Sequence, residues 1–157
     1  MKRPVFPLQA VLTLRLRAEQ LALELYARTV RARKAAEEAV IAAEQELADA
    51  RRRWLNAMAD GCPALRAAQM LDWCGALEKR QEQAGQALRL AEGECNQASQ
   101  ALMQARQQRE VVEKYLGNQE EKYERDVERE DRKVMDDLVQ HRANSPPQRL
   151  SGTRNAL

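Results

Sequence analysis

The sequence predicts an all-α protein: an antiparallel two-helix coiled-coil hairpin with an overhanging C-terminal helix. Three observations carry that expectation. The five prolines stand at positions 4, 7, 63, 146 and 147, so two long stretches lack the residue that breaks helices most strongly. Apolar residues recur along both stretches at alternating steps of three and four, the spacing that turns one helix stripe toward a partner. Aromatics make up 4% of the 157 residues and charged residues 32%, too little bulk for a thick core and too much charge to hide in one.

The first helix is expected over about residues 7–58. Its second half carries a regular stripe, Ala36, Val40, Ala43, Leu47, Ala50, Trp54 and Ala57, and its first half a similar one through Leu8, Leu12, Leu16, Leu23, Tyr26 and Val30. These two runs do not join in strict register near Arg33. Glu19 and Arg33 also fall in or beside the stripe, which predicts a local distortion or a polar contact there. The turn is expected at 59–63, Ala59-Asp60-Gly61-Cys62-Pro63, with Pro63 suited to a first helical position.

Helix 2 is expected over about 64–142, its seam running through Leu77, Ala84, Leu88, Ala91, Cys95, Ala98, Leu102, Ala105, Val112, Leu116 and Tyr123. Gln81, Arg109 and Gln119 interrupt that seam with polar groups. Gly75 permits a break after Cys74, which would make Ala64 to Cys74 a short tip helix of its own. The hairpin domain is read as 1–143, and 144–157, opening on Asn144-Ser145-Pro146-Pro147, as a disordered tail.

Two poles follow from the unequal helices. A tight antiparallel turn sets Leu8 opposite roughly Lys114, leaving the last helical stretch without a partner in the chain. From Gln119 to Asp137 it holds nine acids and five bases, with Glu121 and Arg125, and Glu128 and Arg132, at the helix-stabilising i, i+4 spacing. At the other pole Trp54, Leu55, Met58, Leu65, Met70, Leu71, Trp73 and Leu77 collect both tryptophans, residues favoured at binding surfaces. An apolar plug closing the hairpin explains only part of this cluster. Trp54 and Leu55 are adjacent and Leu71 and Trp73 are two apart, so some of these side chains must be exposed.

Several function classes are disfavoured. One histidine at the end of helix 2, no serine or cysteine placed beside it, and glycines inside helical stripes rather than after strands leave no triad, metal site or phosphate loop, so neither an enzyme nor a cofactor is expected. Three cysteines without CxxC spacing read as free thiols. No apolar run approaches the length of a membrane span, and a cytoplasmic location is expected. Residues 1–34 carry eight bases against Glu19 and Glu24, but a net charge of +2 and no interleaved aromatics argue against nucleic acid.

The opening Phe6-Pro7-Leu8-Gln9-Ala10-Val11-Leu12-Thr13-Leu14-Arg15, followed by Glu19, and the run Arg129-Glu130-Asp131-Arg132-Lys133-Val134-Met135-Asp136-Asp137-Leu138 resemble the two ends of the FliJ family and of its injectisome counterpart, the YscO type. Asp131 and Asp137 stand where that family usually has glutamate. The resemblance implies a stalk of the type III secretion apparatus at the inner face of the membrane. Its paired termini would enter the ring of the hexameric export ATPase, its hairpin side would contact the export gate, export chaperones would be further partners, and the free chain is expected to be a monomeric rod. Carried onto this chain, ATPase contact falls on Leu8, Leu12, Arg15, Arg129, Arg132, Lys133, Asp136 and Asp137. The tip residues Trp54, Met58, Met70, Leu71 and Trp73 are our own choice for gate contact. A generic coiled-coil scaffold or chaperone, dimerising through the end of helix 2, is the competing expectation.

Overall fold

The computed structural model describes residues 8–144. Two helices account for the fold: α1, Leu8–Ala59, and α2, Ala64–Asn144, packed antiparallel along the length of α1. At a rise of about 1.5 Å per residue they measure roughly 80 and 120 Å. The expectation for the tail lies outside the described residues, apart from Asn144, the last residue of α2.

Local chemistry explains the turn. Gly61 adopts φ +80°, a left-handed conformation that costs little without a Cβ. Its amide donates to the carbonyl of Met58 at 3.4 Å, while the Cys62 amide reaches back to Ala57 at 3.1 Å. This pair of bonds closes the last turn of α1 and satisfies carbonyls that the helix leaves open. Pro63 stands immediately outside α2, and its carbonyl accepts the first helical bond, from Ala67 at 3.1 Å. α2 then runs without a break: Gly75 is helical, so no separate tip helix forms. Its seam starts earlier than the sequence suggests, with Ala67 and Met70 half-buried and Cys74 buried.

The core is one residue wide. Leu47, Ala50, Cys74 and Leu77 cluster near the turn, with Trp54 packed against them, and Cys95, Ala98, Leu102 and Leu116 continue the line. Trp54 Nε1 is buried there without an acceptor. Ion pairs flank this seam on both sides, Arg51 to Glu78 at 2.6 Å and Arg80 to Glu46 at 3.1 Å. Both pairs are more than half exposed, so they help fix register more than they add stability.

The first half of α1 departs from the expectation. Leu16 and Leu23 are exposed, and the seam passes instead through Glu19, Ala22, Tyr26, Thr29 and Arg33 before reaching Ala36. From Leu12 to Ala57 the alternation of three and four is unbroken, so there is no register shift near Arg33. Glu19 is accommodated by the polar contact that its seam position demanded. Arg109 Nε donates to Glu19 Oε2, and Arg106 Nε lies 3.4 Å from Oε1, both from the opposite helix. Arg109 Nη1 also donates to Glu113 at 2.5 Å. The bond to Glu113, then the bond to Glu19, hold the Arg109 pKa above its ordinary value. Among the described residues Arg33 pairs with Glu37 of its own helix, 3.4 Å from its Nε.

Candidate functional site

The two poles remain the candidate sites, and the structure distributes the sequence-derived residues between them unevenly. At the tip, Trp54 and Met70 turn into the seam and are half-buried, whereas Met58, Leu71 and Trp73 are exposed. The exposed residues do not form one patch. Leu55, Met58 and Leu71 each follow a seam residue by one position and share a side of the rod. Trp73 precedes Cys74 by one and lies on the other side, over a shallow polar groove with Glu46, Asp49, Arg53 and Arg80. Reading that division required the seam to continue through Cys74, which a break at Gly75 would have hidden.

At the far pole, Leu8 and Leu12 are half-buried and Arg15 is exposed, its Nη1 donating to Gln108 of α2 at 2.7 Å. With Arg15 beside Gln108 and Glu19 between Arg106 and Arg109, Leu8 reaches about the level of Leu116, the last buried residue of α2. Gln119, Tyr123 and Val127 are half-buried beyond it, and every residue from Glu128 to Asn144 is exposed. Arg129, Arg132, Lys133, Asp136 and Asp137 belong to that bare stretch, roughly 20 to 30 Å further along the axis than Leu116. Leu8, Leu12 and Arg15 therefore form one group and the overhang residues another, along one line and not in one cluster.

The overhang is held helical from within. Arg125 pairs with Glu121 at 2.9 Å, Arg129 with Asp126 at 3.7 Å and Arg132 with Glu128 at 3.7 Å. Beyond these pairs, among Lys133, Asp136 and Asp137, sit Val134, Met135, Leu138 and Val139, each more than half exposed. Val134 and Leu138 stand four apart on one stripe of α2, and Met135 and Val139 follow each of them by one position. Among the described residues no group of three or more His, Cys, Asp or Glu is placed to hold a metal ion, and no helix is long and apolar enough to cross a membrane. Cys74 and Cys95 are buried free thiols on the seam, and Cys62 is a half-exposed one at the turn.

The fold and these two poles define the chain as an elongated helical hairpin with one overlong arm. A family model described as flagellar FliJ protein matches residues 4–148, nearly the whole chain, and the protein belongs to the FliJ family. Members of that family belong to the flagellar and type III export apparatus, and this chain is a component of that kind. No curated protein and no solved structure gives a significant match.

Proposed function

We propose that this hairpin is the central stalk of its export apparatus, entering the hexameric export ATPase by its paired start and overhang and reaching the export gate with its tip. One observation carries the reading: α2 stays helical to Asn144 although none of the described residues covers it beyond Val127. A lone helix exposing Val134, Met135, Leu138 and Val139 next to charged residues is suited to a second surface that meets both apolar and charged groups. The bore of a ring offers such a surface. On this reading Leu8, Leu12 and Arg15 seat the rim of the ring, while Arg129, Arg132, Lys133, Asp136 and Asp137 reach deeper. Trp54, Met58, Met70, Leu71 and Trp73 form the gate end, with Trp54 and Met70 supporting the exposed three from the seam. Export chaperones are further partners on the same reading.

The test is stimulation of the partner ATPase. Full-length chain is expected to raise hydrolysis by the export ATPase of the same cell, and chain ending at Val127 to lose that effect while its circular dichroism still reports a folded hairpin. Full stimulation by the shortened chain would defeat the reading. Trp73→Ala with Leu71→Ala is expected to keep stimulation and lose binding to the cytoplasmic part of the gate.

A further inference from the structure

α1 carries a second apolar stripe that the hairpin does not use. One position ahead of each seam residue from Leu12 onward, the same steps of three and four pick out Val11, Leu14, Ala18, Leu21 and Leu25, then Arg28, then alanine at each position from Ala32 to Ala42. Nine of these ten residues are apolar. Leu14, Leu21 and Leu25 are 63%, 66% and 52% exposed, so α2 does not cover them. One residue around a helix is about 100°, close to the angle between neighbours in a four-helix bundle. On the same side α2 contributes Val111 and Tyr115, each one position ahead of a seam residue and more than half exposed, Val111 lining a shallow groove with Arg15.

The outer flank of this stripe identifies what covers it. Arg17, Glu24, Arg31 and Glu38 stand there, one per heptad and alternating in sign. An antiparallel copy of α1 with its twofold axis between Leu25 and Arg28 sets Arg17 against Glu38 of the second copy, and Glu24 against Arg31, four opposite-sign pairs in all. Sliding either copy by one heptad sets like charges against each other, Arg17 on Arg31 or Glu24 on Glu38. Arg28, the one polar member, then lies near the axis within reach of Glu24 of the second copy. An arbitrary partner helix would have no reason to match that alternation; a second copy matches it in one register.

We propose that two copies of this chain associate antiparallel through this outer stripe of α1, a form that covers Leu14, Leu21 and Leu25. This goes beyond the stalk reading and does not depend on it. Because the covered surface adjoins Leu12 and Arg15, the paired form and the ring-bound form would exclude each other.

Light scattering on the full chain over a concentration series tests the proposal. The wild type is expected to reach twice the monomer mass, and Leu21→Gln with Leu25→Gln, exposed sites that leave the hairpin seam intact, to weaken association on the order of tenfold or more. Arg17→Glu with Arg31→Glu, and separately Glu24→Arg with Glu38→Arg, are each expected to be monomeric alone and to form a mixed dimer when combined. A wild type that stays monomeric up to about 1 mM, the weak end of specific association, overturns the proposal. So does failure of the two charge-reversed variants to restore one another, or loss of association on Val134→Gln with Leu138→Gln, which would move the interface to the overhang.

Discussion

Replacing Gly75 and Gly61 by alanine, one at a time, should change stability in opposite directions. Gly75 lies inside the continuous α2, its φ is not positive, and a Cβ built there meets nothing within 4 Å. Alanine should therefore gain the full difference in helix propensity, about 0.8 to 1.0 kcal/mol, raising the thermal midpoint by about 2 to 4 °C. A Cβ at Gly61 also meets nothing within 4 Å, yet its φ of +80° puts an L-residue in the left-handed region at about 1 to 2 kcal/mol. Stiffening the unfolded chain returns about 0.4 to 1 kcal/mol of that, so the net loss should be about 1 kcal/mol. The same chemical change thus separates the two variants by about 2 kcal/mol, readable in urea unfolding followed by far-UV circular dichroism. If Gly75→Ala destabilises, α2 bends or breaks there as its sequence suggested, and the continuous seam through Met70 and Cys74 is wrong.

Other outcomes follow from the same geometry. Glu19→Leu alone should lower stability, because it leaves Arg109 on the seam with Glu110 and Glu113 of its own helix and no acid from α1, while Glu19→Leu combined with Arg109→Leu should recover most of the loss; a double-mutant cycle in unfolding free energy measures the coupling. Leu47→Ala, which empties a position 4% exposed in the cluster near the turn, should cost about 2 to 3 kcal/mol, at the low end for such changes because the seam has little around it to leave as a cavity. In native buffer a maleimide should label Cys62 quickly, with Cys74 and Cys95 reacting only as the hairpin unfolds; mass spectrometry of a time course reports the order.

The hairpin was legible because proline is confined to the two ends and to Pro63, so only one place interrupts the two long helical stretches. The seam of α2 was plainer: from Leu77 to Tyr123 most of its apolar positions fall on one stripe, and Leu90, Met103, Val111 and Tyr115 outside it are too scattered to make another of that length. α1 was harder for a physical reason. It bears two stripes one residue apart, and Leu16 and Leu23 on a third side add to the confusion, so no reading of α1 alone can tell which stripe faces α2. The choice is made by α2, where Arg106 and Arg109 await Glu19, a partner 90 residues away. The exposure of Leu55 and Trp73 followed from adjacency, whereas their placement on opposite sides of the rod required the full register through Cys74.

The unbroken heptad from Leu12 to Ala57 also has a rotational meaning. A strict seven-residue repeat underwinds against the helix's natural period and coils the pair left-handed, with a pitch of about 150 Å. Over the roughly 68 Å from Leu12 to Ala57 the pair thus winds through a little under half a revolution, about 160°. The side of the rod that Trp73 faces at the turn has swung nearly to the back by the level of Leu14. A straight binding partner laid along the hairpin would leave any one stripe before reaching the other end, so contacts at the two poles point in nearly opposite directions around the axis.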